Sequence, residues 1–271
     1  MDDLLLELAR QYRNRYYGKY RGFVTDNDDP EQRGRLRLMV PSVLGETPTG
    51  WALPSLPFGG LADQGLFVVP EVDAQVWVEF EAGNVNLPIW TGTFWQASGD
   101  PPAEAAKSPP TTRVLKTPSG HVLQFDDESG AEKFRLAHPA GTEMTVDEKG
   151  TVIVADAKGN TLTLDADAGQ IVVEDSNGNT ITMSSSGTTI EDSNGNKVEM
   201  AASGITVKGQ QVVVEGQTVM LAGQGGEPII KGTTFLATFA AHVHPSAMGP
   251  TGPPTPTGDI TSNLSKKVMT S

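Results

Sequence analysis

The sequence predicts an all-β protein: a short N-terminal helix, a small barrel, then a run of strands that closes as an intertwined trimeric β-helix, a triangular prism with a small irregular tip. Three observations carry this expectation. From about residue 113 to 222, two apolar residues recur at i and i+2 between polar neighbours, the period of a strand with one apolar face. Glycine, at 30 of 271 residues, punctuates these pairs, often as Asn-Gly or Lys-Gly, which supply the positive φ of tight turns. Helical periodicity is nearly absent after residue 18, and aromatic residues make up only 6% of the chain.

Residues 1–19 read as one amphipathic helix. Leu5, Leu8, Tyr12 and Tyr16 fall near one stripe, Asp2 or Asp3 suits the N-cap, and Gly18 the stop. Residues 20–95 read as the barrel. Phe23-Val24 opens a strand, Asp26 to Gly34 makes a polar turn, and Arg35-Leu36-Arg37-Leu38-Met39-Val40 alternates with one buried face. Further strands are expected at Trp51–Pro54, Phe67–Pro70, Val76–Phe80 and Ile89–Gly92. The acidic turn Asp26-Asn27-Asp28-Asp29 looks superficially like a calcium loop. It lacks the central Gly and the distal bidentate Glu, and Pro30 stands where a ligand would follow. Residues 96–112 have no periodicity and carry Pro101, Pro102, Pro109 and Pro110, so they read as an extended linker.

The repeat region, residues 113–224, is the informative part. Its apolar pairs are Leu123/Phe125, Phe134/Leu136, Met144/Val146, Val152/Val154, Leu162/Leu164, Ile171/Val173, Ile181/Met183, Thr188/Ile190, Val198/Met200, Ile205/Val207, Val212/Val214 and Val219/Leu221. The turns repeat too, at Asp156 to Asn160, Asp175 to Asn179 and Asp192 to Asn196. The pattern gives about twelve short strands, each with one apolar and one polar face. One such ribbon cannot bury its apolar face alone. Two modest side chains per strand do not offset an ordering entropy of roughly 1–2 kcal/mol per residue. A single-chain solenoid would close three faces on themselves. Three identical chains winding about one axis bury every pair and leave few strand edges open, so a homotrimer is expected. Toxin-type calcium repeats require Gly-Gly-x-Gly-x-Asp, whereas Gly-Gly occurs only at Gly59-Gly60 and Gly225-Gly226 and the repeat Asp precedes its Gly.

Composition narrows the function classes. There is no Cys, which removes disulfides and thiolate metal sites. The start, Met1-Asp2-Asp3, lacks the basic region of a signal peptide, and no apolar run approaches membrane-spanning length. Synthesis in the cytoplasm without an export signal is therefore expected. A net charge of −13 argues against nucleic acid as a partner. No Gly-x-Ser-x-Gly, P-loop or His-Glu-x-x-His is present, and paired acids such as Asp165 and Asp167 lie on a polar strand face rather than in a cleft. No enzymatic activity and no catalytic residue are expected.

The run from Gly22 to Leu38, with Trp51-Ala52, Pro70 to Asn84 and Pro88-Ile89-Trp90-Thr91-Gly92, resembles the oligomer-binding-type barrel of contractile-tail spike proteins. That family includes the phage baseplate spike and the VgrG-type spikes of type VI secretion, and the resemblance covers residues 20–222. It implies three barrels forming a collar on a baseplate hub or tube-initiator protein, with the β-helix projecting as a needle that punctures a target cell envelope. It implies a component of a virion or tail-like particle, with a PAAR-type tip protein as a further candidate partner. No lysozyme-sized insert separates barrel from prism and no hub domain precedes the barrel, so the chain resembles a short form. Grip on nucleic acid or sugar, common among oligomer-binding barrels, does not transfer with the fold.

Residues 225–271 break the repeat and read as the tip segment. Thr233 or Thr234 suits the cap of a short helix bearing Phe235, Leu236 and Phe239, followed by His242-Val243-His244-Pro245 and a Gly/Pro-rich loop. His-x-His puts two imidazoles on one side of an extended chain. Three chains about an axis would offer an octahedral nitrogen set from His242 and His244, suited to one iron or other transition-metal ion per trimer, as in spikes that this chain resembles. The alternative is two loop histidines without metal. His121 and His138 are isolated in sequence and read as surface residues. The function expected is mechanical, a rigid needle. The runner-up is a trimeric β-solenoid adhesin binding surface glycan, which calls for aromatic residues on the outer faces; residues 137–234 contain no Trp, Tyr or Phe.

Overall fold

The structure is a computed structural model that describes residues 12–13, 15–217, 219 and 232–253. The N-terminal helix expected over residues 1–19 lies outside the described residues except at Tyr12 and Arg13, which are helical, and at 15–19, which are not. The fold is all-β. Strands assemble into one five-stranded and one eleven-stranded sheet, and the chain divides into two units after Lys208.

The first sheet is built from β1 (Tyr20–Asp26), β2 (Arg37–Met39), β3 (Leu53–Pro54), β4 (Gln75–Phe80) and β5 (Pro88–Thr93), with a one-turn helix α1 (Pro41–Leu44) after β2. Its order is β2-β1-β4-β5-β3. Leu36 and Ala52 then exchange two backbone hydrogen bonds, 3.1 and 2.7 Å, which join the β2 and β3 ends and curl the sheet into a barrel. Period-two alternation fills it: Val76, Val78 and Phe80 of β4 point inward with Val24, Leu36 and Leu38. At Gly22 a Cβ would stand 2.7 Å from the Val78 Cγ2, so β1 crosses this core only with glycine there.

The polar turn from Asp26 to Gly34 is held from inside. Buried Asp29 accepts Arg35 Nε and Nη2 on Oδ1, at 3.0 and 2.6 Å, and also accepts the backbone N–H groups of Glu31, Arg33 and Arg35. The guanidinium holds the Asp29 carboxyl far below the usual carboxylate range. Asp29 is thus committed to its own turn and to Arg35. The strand expected at Phe67–Pro70 does not form. Phe67 and Val68 are exposed, only Val69 packs against the barrel core, and the Pro70 carbonyl is taken by Asn27 Nδ2 at 3.0 Å.

The second sheet contains β6 (Thr112–Lys116), β7 (Val122–Asp126), β8 (Lys133–Ala137), β9 (Glu143–Val146), β10 (Val152–Ala155), β11 (Thr161–Asp165), β12 (Gln170–Glu174), β13 (Thr180–Ser184), β14 (Gly187–Glu191), β15 (Lys197–Ala201) and β16 (Gly204–Lys208). Its spatial order is its chain order, an antiparallel meander. Every expected pair from Leu123/Phe125 to Ile205/Val207 lies on one of these strands. Val212/Val214 lies on none, and Val219/Leu221 falls partly outside the described residues. In the segment read as a linker, Ala103–Ala105 makes one 3-10 turn, and Glu104 and Lys107 reach β6 and β7 through ion pairs to Lys116 (2.8 Å) and Asp126 (2.5 Å). In the second unit, α2 (Gly232–Ala241) starts one residue before the Thr233 expected to cap it.

Candidate functional site

The register of the long sheet puts the apolar pairs directly opposite one another across every strand boundary. One column runs Phe125, Phe134, Val146, Val152, Leu164, Ile171, Met183, Thr188, Met200, Ile205. Beside it runs Leu123, Leu136, Met144, Val154, Leu162, Val173, Ile181, Ile190, Val198, Val207. Residues opposed in this way share a face, so the two columns form one apolar stripe from β7 to β16, interrupted only at Thr188.

In one chain this stripe is uncovered. Leu162 is 39% exposed, Leu164 42%, Val173 41% and Ile181 39%, and no member of either column is buried. Between the members lies the other face, with Thr145, Ile153, Thr163, Val172, Thr182, Thr189 and Glu199 in a central column. Along β11 and β13 the threonines are less exposed than the leucines, isoleucine and methionine beside them. A chain meant to remain alone in water would show the opposite order.

The connections are as regular as the strands. At Thr117–His121, His138–Thr142, Asp156–Asn160, Asp175–Asn179 and Asp192–Asn196 the first N–H donates to the fifth carbonyl, and the N–H of the fourth residue, always glycine, donates to the first carbonyl. These turns close every second connection and so share one edge of the sheet. In the last three, Asp Oδ1 accepts two backbone N–H groups and Oδ2 accepts the Asn amide, as at Asp175 and Asn179, 2.9 and 2.7 Å. The Asn179 amide, with further help from backbone N–H groups, lowers the Asp175 carboxyl to about 2. Neighbouring turns are also tied together, because Asn160 Oδ1 accepts the Ser176 N–H at 3.0 Å and Asn179 Oδ1 the Ser193 N–H at 3.2 Å.

His242 and His244 stand just past α2 with their rings edge-to-face, centroids 5.1 Å apart. His242 Nδ1 donates to the Phe239 carbonyl, which leaves Nε2 with its lone pair, the tautomer a metal ligand needs. His244 is tied by its N–H to Thr251 Oγ1 at 2.8 Å. One chain supplies these two imidazoles and no third ligand: among the described residues no group of three or more His, Cys, Asp or Glu could hold a metal ion. His121 and His138, isolated in sequence, are brought together, with rings edge-to-face at 4.8 Å. The signal that could have paired them is the shared spacing of their turns, His121 ending one and His138 opening the next on the same edge.

Residues 20–95 match the family model of the type VI secretion system/phage-baseplate injector OB domain. The pre-baseplate central spike protein Gp5 of Enterobacteria phage T4 is 44% identical over 41 residues, which is 15% of this chain and 7% of the T4 protein. Among solved structures, a chain from a study of the G-box domain of the microcephaly protein CPAP is 11% identical. That alignment covers 70% of this chain and 99% of that one at a TM-score of 0.28, a superposition too loose to carry an argument. The closed five-stranded barrel and the first two matches make residues 20–95 similar to the injector OB domain of type VI secretion systems and phage baseplates.

Proposed function

We propose that this chain is the structural, non-enzymatic central spike of a contractile tail or injection apparatus, acting as a rigid homotrimeric needle that is driven through a target cell envelope. The observation that carries the reading is the double apolar column left open along the long sheet. Completing the burial of a Val, Leu or Ile already about two-fifths exposed is worth roughly 1 kcal/mol. Repeated down both columns in each chain, this exceeds the approximately 4–15 kcal/mol that association costs. Two residues per strand suit a narrow dry core shared by three walls, and the family's collar of three barrels supports three rather than two. The Thr, Glu and Asp positions then face water, and a net charge of −13 keeps the outside soluble and non-adherent. Stiffness comes from the unbroken backbone ladder and the close-packed interior.

The barrels would seat on a baseplate hub or tube-initiator protein, and a PAAR-type tip protein would cap the far end. We include one iron or other transition-metal ion per trimer, held by His242 and His244 of three chains, since the free Nε2 of His242 fits that role. Elemental analysis of protein purified without an affinity tag should find about one metal ion per three chains, lost in the His242→Ala/His244→Ala double variant. The test of the needle itself is a charge placed on each face. Ile181→Asp should abolish the assembly seen by sedimentation, because unpaired carboxylates would meet in a dry core. Thr182→Asp, on the other face, should leave it intact. Equal effects of the two substitutions would refute the inward orientation of the columns.

A further inference from the structure

The five matching turns on one edge of the long sheet differ in what caps them. In each, the first side chain accepts backbone N–H groups of its own turn. Thr117 Oγ1 accepts from His121 at 3.0 Å, and Asp156 Oδ1 accepts from Lys158 and Asn160 at 2.8 and 2.9 Å. Asp175 and Asp192 repeat the aspartate pattern. In the His138–Thr142 turn the cap is His138 Nδ1, which accepts the Ala140 N–H at 3.1 Å. A backbone amide can only donate, so this ring nitrogen must keep its lone pair while the cap is made. The same bond leaves the proton on Nε2, so the His121/His138 pair is not arranged as a metal clamp.

We propose that His138 is a proton-sensitive turn cap: acid opens the His138–Thr142 turn and loosens the β6–β9 end of the sheet, while the aspartate-capped turns stay closed. A proton arriving at Nδ1 removes the acceptor and sets one donor against another. The surroundings offer little to offset that. On one side the turn abuts Thr117–His121, where a Cβ on Gly120 would lie 3.5 Å from the Pro139 Cβ. The titratable group there is His121, its ring 4.8 Å from that of His138 and its Nδ1 at 2.9 Å from Ser119 Oγ. On the other side the turn abuts Asp156–Asn160, where a Cβ on Gly141 would lie 3.5 Å from the Ala157 Cβ. Asp156 is engaged by its own turn and by Asn160 Nδ2, and Lys158 is positive. On the adjoining strands, Glu143 is paired with Arg135 at 2.8 Å and Lys116 with Glu104 at 2.8 Å.

The closed turn excludes the proton and the open turn accepts it. Closure therefore weakens as acid supplies that proton. Hydrogen exchange followed by mass spectrometry on the full chain reads this directly as protection factors. Between about pH 7.5 and about pH 5, protection over 138–142 should fall about tenfold, while that over 156–160 holds within about twofold. His138→Asp, which installs the cap of the other turns, and His138→Asn, an acceptor that does not titrate, should each abolish the fall. His121→Gln should leave it in place. Protection over 138–142 that does not change with pH, a fall that persists in both His138 variants, or one that disappears with His121→Gln would each overturn the proposal.

Discussion

Asp29 and Asp175 show how single carboxylates organise this chain. Asp29 gathers one guanidinium and three backbone amides, so the barrel's polar turn is built around a buried anion whose partner Arg35 stands just before the next strand. Asp175 does the same at the surface with amides and an Asn side chain. In both, the folded state holds the carboxyl below its ordinary value of 3.8, Asp175 at about 2. Asp156 and Asp192 shift the same way for the same reason, their Asn partners. A carboxyl depressed on folding contributes stability that is fully present above its unfolded value and is lost as pH falls toward its folded value. The global melting temperature should therefore drop most steeply between about pH 4 and pH 2. Circular dichroism melts across that range check it, and a melting temperature insensitive to pH there would contradict these assignments.

At the scale of elements, the strands of the long sheet were legible wherever both members of an apolar pair were present, because a period of two specifies strand and face together. β6 escaped because Arg113 stands where the second apolar residue of its pair would be, opposite Phe125. Phe67 to Pro70 was misread because a run of strand-forming residues says nothing about a free ladder to join, and the Pro70 carbonyl is already taken by Asn27. The Asn-Gly turns were legible as turns. That they are five-residue loops stacked on one edge, with a histidine replacing the aspartate in one, depends on register across strands and was not. Close approach is similarly invisible in sequence. At Gly187, φ is 137° and a Cβ would sit 2.0 Å from the Met200 carbonyl oxygen, so the β14–β15 pairing admits only glycine. Gly187→Ala should force the two strands apart and cost several kcal/mol, beyond the approximately 1 kcal/mol expected of Gly195→Ala, which meets positive φ in open space. Chemical denaturation of the two variants side by side makes the comparison. Equal losses would show that Gly187 serves only its dihedral.

For the whole molecule, the decisive feature is that a single chain presents its apolar columns to water and its threonines to partial shelter. The barrel is complete by itself, with Leu36, Leu38, Val76 and Val78 fully buried, whereas no member of the long sheet's two columns is buried in one chain. No helix among the described residues is long and apolar enough to cross a membrane. The proposed needle requires that three chains share those columns. Light scattering coupled to size exclusion, at low concentration and moderate salt, measures that number. Three copies of 28.7 kDa, about 86 kDa, is the mass predicted. A species of 28.7 kDa that retains its β-sheet signal, or a stable dimer of about 57 kDa, would contradict it.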